Sequence, residues 1–482
     1  MESEIFLSSN GYDFLESYTR KLYKERGTFR HNLERYLHGS EFINACRNPE
    51  NIDQIPEITF ENIQNQAERE THFNNLCSDL MKAYAQRTQN DELTDDDYYE
   101  IAGIMGLCPG QCDWHETLFP HLVDLFVSSE EEGQEILDSV KQHPNLVALM
   151  VDVMSDGIRS GQIINYNGRN LWSQGYARNY FRGENAYNKH CRPTLFRNMP
   201  DKPEEIKIHG VIRRIQMLEF SIWINNLSFV RNWPFGDVFH GAIAQHYGIL
   251  TNGIDITSDF ETALFFACCK YENGEWRPLR EKEFEYADSR ADVIKRGGDS
   301  RFGIIFTAPA DISNMSHAAN IPELHFTGVT PVGFQPFMRC SNQRSYIIEA
   351  GETFDLYNDL SFSKFKFRHK PEICDWIYSK MQSGDKIYPN EIFGNFIDIV
   401  ENVQRSKRYS EKAFKITLER MQLESEEDKI KEALGHLGYQ CTASLQLCSN
   451  ERMAELESSW NNVYNKHEYF PPDSPMRLQF CI

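Results

Sequence analysis

Gln245-His246-Tyr247-Gly248-Ile249-Leu250-Thr251-Asn252-Gly253-Ile254-Asp255-Ile256-Thr257-Ser258-Asp259-Phe260-Glu261-Thr262-Ala263-Leu264-Phe265-Phe266-Ala267 reads as the end of a helix, a glycine turn, a short strand and a second helix. Thr257 and Ser258 fall at the strand-to-helix junction. A hydroxyl there, or Asp259, can cap the helix, and the helix N-terminus can equally receive an anion.

Working outward, Tyr180-Phe181 is strand-like, Ile212 to Ile224 has helical periodicity, and Phe302-Gly303-Ile304-Ile305-Phe306-Thr307 reads as a buried strand. Such a mixture, without regular βαβ alternation, indicates an α+β fold. The strand Tyr180-Phe181-Arg182-Gly183-Glu184 presents a permanently charged guanidinium whose planar fork suits a phosphate, and Gly183 leaves no side chain to crowd a ligand. An ion pair with the neighbouring glutamate is the simpler alternative. Pro336-Phe337-Met338-Arg339-Cys340-Ser341-Asn342-Gln343-Arg344-Ser345-Tyr346-Ile347-Ile348-Glu349 gathers amide, hydroxyl and guanidinium groups before a β-type run, which a structural turn would also explain.

Three regions follow. Residues 1–165 carry helix-type spacings, such as Leu76, Leu80, Ala83 and Tyr84, or Ile136, Leu137 and Val140 before Pro144. A turn-rich stretch at 160–168 separates them from an α+β region spanning 172–401. Residues 402–482 return to helices, one through Phe414, Leu418 and Met421 and another opening at Ser425 with Asp428 three residues on. The charged stretch from Lys270 to Ser300 has the composition of a surface excursion or lid.

Lys+Arg 50 against Asp+Glu 71, a net charge of -21, argues against a broad nucleic-acid or anionic-membrane face. Leu146-Val147-Ala148-Leu149-Met150-Val151 is too short to cross a bilayer, and the first residues do not read as a secretory signal. The adjacent Cys268 and Cys269 in an apolar run suggest reduced thiols and a cytoplasmic location. Cys108 and Cys112, with His115 and His121 beyond, invite a zinc reading, but no second cysteine pair follows at ribbon or finger distance, so no metal is expected. Kinase and dehydrogenase readings lack their phosphate-binding loops.

The ordered set Phe181-Arg182-Gly183, Gln245 to Ala267, Pro336 to Glu349 and Ile387-Tyr388-Pro389-Asn390-Glu391-Ile392-Phe393-Gly394 resembles the FRG domain family, named for its Phe-Arg-Gly. The match to the family's Gln-His-Tyr-Gly-(Leu)-Pro-Thr-Arg-Leu-Leu-Asp-Trp-Thr stretch is close at Gln245 to Gly248, Asp255 and Thr257. FRG domains are in turn similar to ADP-ribosyltransferases of the Arg-Ser-Glu type. That resemblance implies an ADP-ribosyltransferase-like mixed sheet flanked by all-α regions, with NAD as substrate and a macromolecular acceptor. Arg182 and Gly183 would hold the diphosphate, Thr257 and Ser258 would support the ribose, and Gln343 would position the acceptor or the nicotinamide side. Tyr180, His246 and Tyr247 would shape the cleft.

Breaking the nicotinamide bond creates an oxocarbenium-like centre, which a carboxylate stabilises best. Here the sequence departs from the pattern, because Ser345 stands where the catalytic glutamate would be. Asn252-Gly253 also replaces the family's Arg-Leu. Glu184 and Glu349 are the nearby carboxylates. The resemblance implies a transferase or NAD glycohydrolase, in the setting of a bacterial toxin or defence effector. The alternatives are a non-catalytic module that recognises a nucleotide, an ADP-ribosylated target or a protein, and a scaffold that engages partners through its helical ends.

Overall fold

The computed structural model describes residues 52–68, 70–71, 131, 134, 138, 162–166, 169–173, 179–197, 199–200, 202–233, 238–272, 274–284, 298–309, 329–332, 335–359, 361–389 and 397–464. The helix spacings at 76–84 and 136–140, the cysteine pair at 108 and 112, and the apolar run at 146–151 lie outside the described residues. The turn-rich stretch at 160–168 contributes to an antiparallel hairpin of β1 (Gln162–Tyr166) and β2 (Arg169–Ser173).

The central region is built on six strands: β3 (Asn179–Glu184), β4 (Gly253–Thr257), β7 (Phe302–Pro309), β8 (Val329–Pro331), β9 (Ser345–Glu349) and β10 (Ser363–Arg368). Their order is β10-β7-β3-β4-β9-β8 and every neighbouring pair is antiparallel. A second, two-stranded hairpin, β5 (Cys269–Glu272) and β6 (Glu275–Pro278), stands outside this sheet. The α+β class is therefore present, and among the described residues parallel pairing enters this sheet only as an edge bridge between Glu57 and Lys366.

Period-two alternation divides the two faces. Tyr180, Ile254, Ile256, Ile304, Phe306, Tyr346 and Ile348 pack on one side with Phe354, Leu356, Tyr357 and Phe362 from the chain after β9. Phe181, Ile305, Phe365 and Phe367 face the other way. There they meet helices α4 (Phe260–Cys268) and α7 (Pro371–Lys380). Each buried Phe or Ile contributes roughly 1.5–3 kcal/mol, so this two-sided burial fixes the register: a one-residue slip would expose a whole face.

Both sheet edges are protected. β8 is short and ends in Pro331, which limits further pairing. At the other edge, Ile58 N donates to Lys366 O at 2.9 Å and Lys366 N to Pro56 O at 2.9 Å, while Lys366 Nζ reaches Ile52 O at 2.7 Å. Ile55, Ile58, Ile63 and Ala67 join the sheet's two cores. A piece of the N-terminal region is thus part of the central body.

The remaining helices pack around α1 (Pro203–Ile224), which opens with Pro203 and Glu204-Glu205 in its first turn, a favourable helix start. α2 (Ser228–Arg231), α3 (His240–His246), α6 (Met338–Asn342), α8 (Ile397–Arg405) and α11 (Asn450–Tyr464) share one core with its C-terminal end. The short α5 (Glu281–Phe284) adds Phe284 to the α4 and α7 core. α9 (Glu411–Met421) and α10 (Glu427–His436) pack on Val211, Ile215 and Leu218 of α1. Within the C-terminal region, β11 (Arg408–Ser410) and β12 (Gln440–Thr442) form a parallel pair, so it is not purely helical. The expected helix start at Ser425 is also displaced: Gln422 turns left-handed at φ 57°, residues 424–426 form a 3-10 turn, and α10 begins at Glu427 without a side-chain cap. Among the described residues, Cys191, Cys268, Cys269, Cys340 and Cys374 are buried free thiols, no helix is long and apolar enough to cross a membrane, and no group of side chains is arranged to hold a metal ion.

Candidate functional site

α3 ends in a tight glycine cap. Gly248 has φ +95°, its N–H donates to Gln245 O at 2.9 Å, and Ile249 N donates to Ala244 O at 2.8 Å, the paired bonds of a Schellman motif. The chain then enters β4 and reverses into α4, whose cap is Asp259: its carboxylate accepts from Thr262 N at 3.0 Å. Thr257 Oγ1 accepts from Asp259 N at 2.9 Å and donates to Gln343 O at 2.6 Å. The two hydroxyl-bearing residues at this junction thus differ, because Thr257 knots β4, α4 and α6 together while Ser258 lies outside the cleft-lining set.

β3 pairs with β7 along its length, and β4 with β9 along its own. Between them, β3 and β4 pair only at Phe181 and Thr257. Where they part, Arg182 Nη1 donates to Asp255 O at 2.6 Å, taking the place of a main-chain ladder bond. Its Nη2 approaches Glu184 Oε1 at 3.3 Å. Burial opposes this charge, but the carboxylates of Glu184 and Asp255 favour it and the arginine's pKa is raised, so Arg182 is a fixed cation. Its Nε has no partner.

The gap opens into a cleft of about 350 Å³, within the range of small-molecule sites. Arg182, Glu184, Asp255, Thr257, Gln343 and Ser345 line one side. Phe266, Tyr271 and Trp276 form a contiguous aromatic wall, with ring centroids 5.6 Å apart for Phe266–Trp276 and 5.3 Å for Tyr271–Trp276. Arg197 and Lys270 add cations. Gly183 also borders the cleft, but the reason for a glycine there is packing: a Cβ would sit 1.7 Å from Ala263 O of α4. The helix lies against the strand, and nothing larger fits.

Beneath the floor, His246 is buried. Its Nε2 lies 2.9 Å from Ser345 Oγ and 3.7 Å from Asp255 Oδ1, an oxygen without a hydrogen-bond partner. Burial lowers the pKa of His246 against the pull of Asp255, so the ring is neutral. Arg339 Nη1 donates to His246 O at 3.2 Å, and its guanidinium is sandwiched between the rings of Tyr247 at 4.3 Å and Tyr388 at 3.8 Å. Gln343 Nε2 donates to Ile387 O at 3.0 Å. The third and fourth sequence motifs therefore build the support under β4 and β9.

Arg182, Gly183, Thr257 and Gln343 meet at one cleft. Tyr180, His246 and Tyr247 do not line it. Tyr180 shares its side of β3 with Arg182 but is buried in the core there, its ring 4.9 Å from that of Tyr346; Tyr247 packs in the helical core. Glu184 borders the cleft, whereas Glu349 lines a different cavity. The aromatic wall is a further finding. Its signal in the sequence was Asn273-Gly274, a hairpin dipeptide; Tyr271 and Trp276 are cross-strand partners in the β5–β6 hairpin.

Residues 177–275 match the FRG domain family, a span from just before β3 to the first residue of β6. No curated protein and no solved structure matches the chain.

Proposed function

We propose that this FRG-domain protein binds NAD in the β3–β4 cleft and transfers ADP-ribose to a macromolecule, or hydrolyses NAD. The observation that carries the reading is convergence: Arg182, Thr257 and Gln343, far apart in sequence, border one cleft that is also lined by Phe266, Tyr271 and Trp276. A charged fork beside Arg197 suits a diphosphate. Stacking on Tyr271 or Trp276 suits a planar ring.

NAD supplies a glycosidic bond whose cleavage leaves positive charge on the ribose. Ser345 cannot counter that charge. Asp255 borders the same cleft with its side chain partly exposed, which makes it the carboxylate best placed to do so. Arg182 would hold the phosphates, and Thr257 would keep β4 and the Gln343 turn in fixed register.

A second reading is recognition without turnover, favoured by one feature: Arg182, Thr257 and Gln343 each already hold a backbone carbonyl. Incubating wild type, Arg182→Ala and Asp255→Asn with labelled NAD and cell extract, and following nicotinamide release and label transfer separately, decides between them. Release or transfer that is lost in both variants supports catalysis. Saturable binding of ADP-ribose without release supports recognition. Neither turnover nor binding in folded wild-type protein refutes both.

A further inference from the structure

A second cavity, of about 290 Å³, lies between α1, α9 and the chain entering β4, and it shares no lining residue with the cleft. Arg213 and Arg214 come from α1 and Arg420 from α9. Three guanidiniums face one carboxylate, Glu349, in a chain of net charge -21. Among the described residues no carboxylate makes an ion pair with any of the three. Arg213 is held by the carbonyls of Thr194, Leu195 and Arg197, while Arg214 approaches Met421 Sδ at 3.8 Å and feels the charge of Glu352 from beyond ion-pair distance.

The wall of the cavity also contains a buried, unsatisfied polar atom. Thr417 is fully buried and lines the cavity, yet its Oγ1 has no hydrogen-bond partner. Threonines within helices usually return such a hydroxyl to a preceding carbonyl, and buried polar atoms are rarely orphaned. Met217, Leu218, Phe239 and Leu250 supply apolar wall.

We infer that this cavity binds a small organic anion, with its acidic head between Arg214 and Arg420 and a compact apolar body against Met217, Phe239 and Leu250. The volume lies at the lower end for small-molecule sites, which suits a metabolite-sized acid rather than a dinucleotide. The position gives such a ligand leverage: Thr251 and Asn252 line the cavity and lead directly into Asp255 and Thr257 on β4. It also bridges α1 to the C-terminal region.

Isothermal titration of the full chain with phenyl phosphate, benzoate and uncharged benzyl alcohol tests this site independently of the cleft. Saturable binding of at least one anion is expected, with none of the alcohol; whichever anion binds tighter identifies the head group. Arg214→Gln/Arg420→Gln should weaken it by about tenfold or more. Arg182→Ala should leave it unchanged. The inference fails if neither anion binds, if the double variant binds as wild type does, or if Arg182→Ala alone abolishes binding.

Discussion

Arg182 and Gly183 show how neighbouring residues of one motif obey different physics. The Arg182 guanidinium both presents a charge to the cleft and staples β3 to β4 through Asp255 O. Removing it leaves that carbonyl short of a charge-assisted bond, so Arg182→Ala should lose about 1–3 kcal/mol in urea unfolding. Arg182→Lys should recover part of this stability but little affinity for ADP-ribose, because a point-like ammonium lacks the fork; wild-type affinity in the lysine variant would contradict the phosphate role. Gly183→Ala must move α4 away from β3, since the new methyl would collide with Ala263 O, and a loss of about 3 kcal/mol or failure to fold is expected. Gly435 in α10 is the control. A Cβ there meets nothing within 4 Å, so Gly435→Ala should gain up to about 1 kcal/mol from helix propensity alone, as thermal unfolding would show.

At the scale of elements, the run from Gln245 to Ala267 was legible because its signals are local: the glycine after Tyr247, the β-branched alternation through Ile254 and Ile256, and the cap at Asp259. Arg182, Thr257 and Gln343 could be picked as a set, yet periodicity said nothing of the single pairing between Phe181 and Thr257 that opens the cleft. That depends on how β3 and β4 sit between β7 and β9. Alternation puts Tyr180 on the same side of β3 as Arg182, so its burial against Tyr346 was not legible, and His246 likewise needed the tertiary contact with Ser345. The C-terminal region is similar. Its helices could be read, but its attachment could not, because that attachment is made by aromatic residues separated by hundreds of positions. Trp460 of α11 stacks on Phe229 at 4.4 Å and donates Nε1 to Pro336 O at 2.9 Å. Trp460→Ala should cost about 3–5 kcal/mol and raise hydrogen exchange in α11 before it does so in β3 or β7. Equal loosening of all three elements would mean that the helix is not a separable clasp.

For the molecule as a whole, stability against pH follows from groups buried in opposite senses. His246 and His369 are kept neutral by burial, their pKa lowered; unfolding lets them protonate, so their contribution is lost as pH falls through the unfolded value of 6.5. Asp359 acts the other way. Fully buried, with Oδ1 accepting from Ser361 N at 2.8 Å and Ser361 Oγ at 2.7 Å but Oδ2 unpartnered, its carboxyl is raised from 3.8 to about 7, mainly by burial. The folded state therefore holds this proton more tightly than the unfolded chain does. Its stabilising effect is complete below 3.8 and is lost as pH rises to about 7, by at most about 1.4 kcal/mol per pH unit. Asp359→Asn removes the titration while keeping an acceptor for Ser361. The variant's stability minus that of wild type should climb between pH 4 and pH 7 by a few kcal/mol and stay level above, even as the histidines bend both curves together. Chemical unfolding across that range measures the difference directly, and a difference independent of pH would show that Asp359 is ionised in the folded protein throughout.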